Sequence, residues 1–366
     1  MGLKAGIIGL PNVGKSTIFN AITKSAIPAE NYPFCTIDPN IGIVEVPDIR
    51  IDQISEIFNP NIITRATVEF VDIAGLVRGA SQGEGLGNQF LSHIRDVNAI
   101  IHVVRAFNEK NITHVDGNLN PIRDIGTIET ELLLRDIITI EKRLEKLKKI
   151  VRTNNKDAKQ ELELLNYIYP LMNQGTLVCD INLDKTNNKL IQPISLLTNK
   201  PTLYVLNVDE HAFSDTNHNS LIDEIFNYAK KKGNHIILIC GKIESELATL
   251  DPNDAELFLT EYNISESGLI KLIKSTYKLL NLETFFTAGA KEVKAWTISK
   301  GTLAPKAARE IHSDIERGFI KAEVYTCADL FQLKSELSLK DAGKIRQEGK
   351  QYLVKDGDII NFKFNV

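Results

Sequence analysis

Cysteine is scarce in this chain: Cys35, Cys179, Cys240 and Cys327 are the full set in 366 residues, far apart and without a CxxC pair. Such spacing offers neither a zinc site nor a disulfide framework, and it suits reduced thiols in the cytoplasm. Long apolar runs are missing as well; none approaches the roughly 20 residues that cross a bilayer. No separate apolar segment with a cleavage site precedes the first strand-like run, so a signal peptide is not expected. There is no excess of positive charge either. A formal net charge of −4 excludes a uniformly basic nucleic-acid coat. No DNA partner is therefore expected, and any RNA contact has to come from a local patch.

What is present begins at the N-terminus. The run Gly6-Ile7-Ile8-Gly9-Leu10-Pro11-Asn12-Val13-Gly14-Lys15-Ser16-Thr17 is an apolar strand that breaks into glycine and restarts as a helix with Ile18, Phe19, Ala21 and Ile22 on one face. It fits GxxxxGK[ST], a phosphate-binding loop in which Gly9 and Gly14 let backbone N–H groups turn toward a polyphosphate at the positive end of the helix. Lys15 is expected against the β- and γ-phosphates, with Val13 and Thr17 flanking it and the Ser16 hydroxyl on Mg²⁺. Asn12 is expected to help hold a monovalent cation, K⁺, beside the phosphates.

Strand-like runs at Leu3–Leu10, Ile41–Val46, Thr67–Asp72, Ala99–Val104, Thr202–Asn207 and Ile236–Cys240 alternate with helical or glycine-rich segments. That alternation predicts a mostly parallel α/β sheet. A long insertion interrupts it. Leu133, Ile137, Ile140, Leu144, Leu147 and Val151, then Leu162, Leu165, Tyr169 and Met172, recur at spacings of 3 and 4, which predicts two antiparallel helices in a coiled-coil hairpin. From Glu141 to Gln160, eight Lys or Arg oppose three Asp or Glu. This local basicity reads as a solvated face or as a surface for RNA or the ribosome. After about residue 279 a small α+β module is expected, with strands at Val293–Ile298, Phe319–Tyr325, Tyr352–Val354 and Ile359–Phe364. The expected division is 1–126 and 194–278 for a nucleotide-binding domain, 127–193 for the helical arm and 279–366 for the C-terminal module.

Asp72-Ile73-Ala74-Gly75 fits DxxG, whose aspartate holds the water shell of Mg²⁺ and whose glycine N–H can sense a γ-phosphate. Thr36 offers a second hydroxyl to the metal. Five glycines lie between Gly75 and Gly87, the composition of a switch loop. Where a water-orienting glutamine often follows the DxxG glycine stands Leu76, which cannot do that work. Hydrolysis then needs another group, or stays near the unassisted rate of about 10⁻⁴ per second. Of three nearby histidines, His102 inside a strand reads as core and His93 as helix surface. His114, in a polar loop, is the candidate to position or activate water.

The base end is expected where Thr202–Leu206 runs into Asn207-Val208-Asp209-Glu210. Guanine-specific proteins use NKxD there; here Val208 replaces the lysine and Glu210 the aspartate. The extra methylene moves the carboxylate by about one bond length and spoils a bidentate pair to guanine. Losing two charge-assisted bonds at roughly 1.5 to 3 kcal/mol each removes about 10² to 10⁴ of guanine preference. Adenine is then expected against the Asn207 amide and backbone groups near Val208, with Cys240-Gly241-Lys242 closing the pocket.

With these residues assembled, the chain resembles the YchF-type, or Obg-like, ATPases, a branch of the Obg group of P-loop proteins. The resemblance runs end to end: GLPNVGKST at 9–17, NYPFCTIDPN at 31–40, DIAGLVRGASQGEGLGNQF at 72–90, NVDE at 207–210, FTAGAKEVKAWTI at 286–298 and GKQYLVKDGDIINFKFNV at 349–366. It implies an Obg-type G domain with an inserted helical arm, and a C-terminal TGS domain of ubiquitin-like β-grasp fold. It also implies hydrolysis of ATP in preference to GTP, association with the ribosome through its large subunit and rRNA or tRNA surfaces, and a catalytic histidine that falls on His114. The alternatives are a GTPase of the same architecture, or a module that holds ATP and hardly turns it over.

Overall fold

The computed structural model describes residues 3–24, 40–73, 93–109, 119–153, 155–214 and 220–365. The chain forms two compact units: residues 1–25, 36–42 and 69–272 in one, and 26–35, 43–68 and 273–366 in the other.

One six-stranded sheet has the order β2-β4-β1-β5-β6-β7, with β1 (Lys4–Ile8), β2 (Ile41–Glu45), β4 (Thr67–Asp72), β5 (Ala99–Arg105), β6 (Thr202–Asn207) and β7 (His235–Ile239); β1, β5, β6 and β7 lie wholly in the first unit. β4, β1, β5, β6 and β7 are mutually parallel. Burial on both faces explains why β5 reads Ala-Ile-Ile-His-Val-Val-Arg with every residue buried. The carboxyl ends of β1, β5, β6 and β7 fall along one edge, the side on which open parallel sheets take ligands. The helix Lys15–Lys24 buries Ile18, Phe19, Ala21 and Ile22, the face its spacing predicts.

The insertion is a helical hairpin of Pro121–Ile150 and Lys156–Asn173. Each helix starts on a side-chain cap: Asn120 Oδ1 accepts the Arg123 N–H at 3.0 Å and Asn155 Oδ1 the Ala158 N–H at 3.0 Å. Leu133, Ile140, Leu144 and Leu147 pack with Leu165, Ile168 and Met172 in one apolar core. Arg143 bonds Glu161 at 2.6 and 2.8 Å, and the Tyr169 hydroxyl donates to Glu141 at 2.7 Å, so early residues meet late ones as antiparallel helices require. At the root of the hairpin the Glu129 carboxylate accepts from the Tyr204 hydroxyl at 2.6 Å, the Tyr228 hydroxyl at 3.1 Å and Lys232 Nζ at 2.8 Å. The buried Asp136 carboxylate receives Leu197 N, Thr198 N and the Thr198 hydroxyl at 2.7–2.8 Å, which anchors the returning chain.

In the second unit, β8 (Leu282–Thr287) and β9 (Glu292–Ser299) form a hairpin, followed by the helix Ala304–Ile311, β10 (Phe319–Thr326), β11 (Arg346–Glu348) and β12 (Asp358–Phe364). The order β11-β10-β12-β8-β9, with β8 parallel to β12 and β10 antiparallel to it, is that of a ubiquitin-like β-grasp. Pro305 sits in the first turn of the helix, and Ala304, Ala307 and Ala308 let it lie close against Phe285, Val324, Ile360 and Phe362.

Residues 43–68 cluster with the second unit. There β3 (Ile62–Thr64) extends the β-grasp sheet beside β9, and Arg50 pairs with Asp48 at 2.7 Å and Asp356 at 2.6 Å. The C-terminal part of that unit runs from residue 273, and the helical insertion clusters with the first unit. The strand expected at Tyr352–Val354 lies instead at 346–348; Leu353 makes a single bridge to Leu303. β8, unmarked by any clean alternation, carries the buried Phe285 and Phe286.

Candidate functional site

The phosphate end is built where β1 runs into the helix Lys15–Lys24. A side chain at Gly9 would bring Cβ within 2.7 Å of the Val103 carbonyl oxygen and 2.9 Å of Val13 Cγ2. Gly14 has φ +90°, and a Cβ there would run into the Asn207 amide nitrogen. Asn12 adopts the left-handed backbone, φ 62°, which asparagine tolerates better than most residues. The Ile18 N–H bonds the Gly14 carbonyl at 3.0 Å, so the preceding N–H groups of Lys15, Ser16 and Thr17 form the open first turn that suits an anion.

Lys15 Nζ forms an ion pair with Asp72 Oδ1, and the two side chains are 11% and 20% exposed. The structure thus brings the phosphate-loop lysine onto the DxxG aspartate from 57 residues away, and Ser16 lines the same cleft as Lys15. Hydroxyl and carboxylate oxygens are the hard donors that Mg²⁺ takes, and the ion usually needs only one or two from protein beside phosphate and water. Among the described residues no group of three or more His, Cys, Asp or Glu is arranged for a metal.

At the base end, Val208 is buried and its N–H donates to the Ile239 carbonyl at 2.8 Å. Cys240 is buried, and burial pushes its thiol pKa up. Asp209 accepts the Ala212 N–H at 2.9 Å, capping the short helix that Glu210 begins. Glu210 Oε1 meets Lys242 Nζ at 2.8 Å, and this partner raises the lysine pKa. The Asn207 amide departs from expectation. Only 5% exposed, it donates from Nδ2 to the Val13 carbonyl at 2.9 Å and accepts the Gly241 N–H on Oδ1 at 2.9 Å. The side chain assigned to adenine is engaged in tying the phosphate loop to both base loops.

Phosphate and base ends share one cleft of about 1030 Å³, which also receives Phe107, Asn108, Glu109 and Ser245. Asn108 and Glu109 open the polar stretch expected to fold over the phosphates, whereas Phe107 went unmarked in the sequence. Its signal was Arg105, a charge closing an apolar strand: the buried guanidinium stacks 4.5 Å from the Phe107 ring and donates to the Phe107 carbonyl at 3.2 Å. His102 lies fully buried in β5 with its pKa lowered to about 3 by burial, and His93 is exposed, as expected of each. Thr36, His114 and the glycine-rich stretch 75–87 lie outside the described residues.

Residues 4–208 match a family described as 50S ribosome-binding GTPase, and residues 282–365 match the YchF GTPase C-terminal family, described as a protein of unknown function. The chain is 51% identical to the ribosome-binding ATPase YchF of Bacillus subtilis and 50% identical to that of Pasteurella multocida, over 366 residues and 100% of both chains in each case. It is 40% identical to the YchF GTPase of Schizosaccharomyces pombe, whose structure matches at a TM-score of 0.89 and covers 99% of this chain and 98% of that one. With such identity sustained from end to end, and with the phosphate loop, DxxG aspartate and β-grasp unit all in place, the chain belongs to the YchF family of P-loop proteins.

Proposed function

We propose that the protein is a Mg²⁺-dependent ATPase of the cytoplasm that binds the ribosome in a nucleotide-dependent manner. The observation that carries ATP over GTP is the acid at the base end: Glu210 stands one methylene too long for the bidentate guanine contact, on a loop held by Val208 and Asn207. With the Asn207 side chain engaged, adenine is read by backbone groups around Val208 and by the cleft wall, including Cys240. Its relatives named ribosome-binding ATPase support the same reading.

At the phosphate end, Lys15 would exchange Asp72 for the β- and γ-phosphates, and the Ser16 and Thr36 hydroxyls, with Asp72 on the water shell, would hold Mg²⁺. When bound, the metal neutralises charge shared between the phosphate oxygens. Asn12, at the turn of the loop, is the proposed K⁺ ligand in the same region. His114 is the proposed group that orients the attacking water, since Leu76 cannot.

The ribosomal role rests on the arm. Six Lys or Arg, among them Lys142, Lys146 and Lys189, border a groove of about 1030 Å³ at its side against the three acids Asp96, Asp157 and Glu161, a net basic surface in an acidic protein and suited to rRNA or tRNA phosphates on the large subunit.

The test is a titration of nucleotide-free protein with ATP and GTP, paired with phosphate release in K⁺ and in Na⁺. Tighter ATP binding, multiple turnover, and loss of productive binding in Lys15→Ala are expected. A hundredfold preference for GTP overturns the adenine assignment, and equal turnover in the two salts removes the K⁺ role. Unchanged turnover in His114→Ala removes that residue's role.

A further inference from the structure

The loops that follow β6 and β7 face each other across the base end of the cleft, and one ion pair joins their side chains, Lys242 Nζ to Glu210 Oε1 at 2.8 Å. Beneath it the two loops are locked by buried bonds, Val208 N–H to the Ile239 carbonyl at 2.8 Å and Gly241 N–H to Asn207 Oδ1 at 2.9 Å. The pair therefore sits on a fixed frame, while its own groups reach solvent, the lysine 68% exposed and the glutamate 34%.

We propose that Lys242 is a specificity-determining residue: it holds the Glu210 carboxylate in an ion pair and so withholds it from the N1–H and 2-amino donors of guanine. The inference rests on the adenine reading above and deepens it. A guanine contact of the bidentate kind needs both carboxylate oxygens aimed at the base, and the ion pair with Lys242 takes one acceptor position on Oε1 and turns the carboxylate toward the loop after β7. Adenine offers one donor and one acceptor on the corresponding edge, so it loses no such pair. Guanine is thus opposed twice, by the length of Glu210 and by the ammonium that competes for its oxygen. Because the ion pair is exposed, its share of the discrimination is modest and is screened by salt.

The experiment measures the dissociation constants of ATP and GTP for the full chain, nucleotide-free, as wild type, Lys242→Met and Lys242→Arg, at low and high salt. Lys242→Met is expected to shift the ratio toward GTP by about two- to fivefold, the range of an exposed ion pair, while Lys242→Arg retains the wild-type ratio. The wild-type ratio should approach that of Lys242→Met as salt rises, and the methionine variant should show no such drift. A ratio that is the same in wild type and Lys242→Met at low salt overturns the role of Lys242. Tighter binding of GTP than ATP by the wild type is a separate result, which overturns the adenine reading itself.

Discussion

Asn207 and Val13 stand 194 residues apart in the chain, and the side-chain amide of one donates to the backbone carbonyl of the other at 2.9 Å. With Gly241 N–H on its other end, this amide makes the phosphate loop and the two base loops one rigid frame. A ligand that spans both ends of the cleft depends on that frame before it meets any specific contact.

Replacing Asn207→Ala leaves a buried carbonyl and a buried N–H without their partner, at about 1–3 kcal/mol for each group. Nucleotide affinity should fall about tenfold or more. The loss should be equal for ATP and GTP, because the residue acts on the loops and not on the base. Calorimetric titration of both nucleotides checks this; a loss confined to ATP returns Asn207 to direct adenine contact.

His102 makes stability depend on pH. Burial lowers its pKa to about 3 from 6.5, so in the folded chain it stays neutral where the unfolded chain binds a proton. The unfolded state therefore holds more protons between those values: stability is intact above pH 6.5 and falls as pH drops toward 3. At pH 5 this amounts to about 2 kcal/mol. Urea midpoints at neutral and acidic pH should show a shallower acid loss in His102→Leu than in wild type, and parallel curves would count against the burial account.

The Glu129 carboxylate holds three donors, Tyr204, Tyr228 and Lys232, at the root of the arm. In Glu129→Ala the lysine ammonium, 20% exposed, loses its closest partner, although Asp180 remains 3.5 Å away. A loss of about 2 kcal/mol is expected. Hydrogen exchange should speed up first in the helix Pro121–Ile150 near residue 129 and in the helix Ser220–Lys231. Exchange unchanged at both places would show that the network contributes nothing to holding the arm.

Lys146, Lys148 and Lys149 are exposed toward the end of the helix Pro121–Ile150. Reversing all three to glutamate should weaken sedimentation with ribosomes and flatten its salt dependence, since each phosphate contact contributes to the salt slope. Nucleotide affinity, measured alongside, should stay as in wild type. Unaltered sedimentation would make these lysines a solvated face.

Local patterns were the legible part. Gly9, Gly14 and Lys15 act within one turn of chain, and the spacing of Leu133 through Met172 reports a helix pair that packs mainly on itself. His102 and His93 were placed by the character of their own segments. Less could be read where a residue's partner is remote. Ile62 and Ile63 look like any short apolar run, and only the pairing of Ile62 with Glu292 puts them in the second unit's sheet. The 107–109 wall of the cleft depends on Arg105 folding back over Phe107.

On its own, the order of residues supplied the GxxxxGK[ST] motif after the first strand, a glutamate at 210 where guanine-binding proteins carry aspartate, and the period of a helical hairpin with a basic stretch. Tertiary structure alone decided that Asn207 braces the loops, that Glu210 is paired with Lys242, and that residues 43–68 join the C-terminal unit. The reason is range: backbone conformation and helical period are set by neighbours within a few positions, whereas a buried amide or an ion pair takes whichever partner the fold delivers from far along the chain.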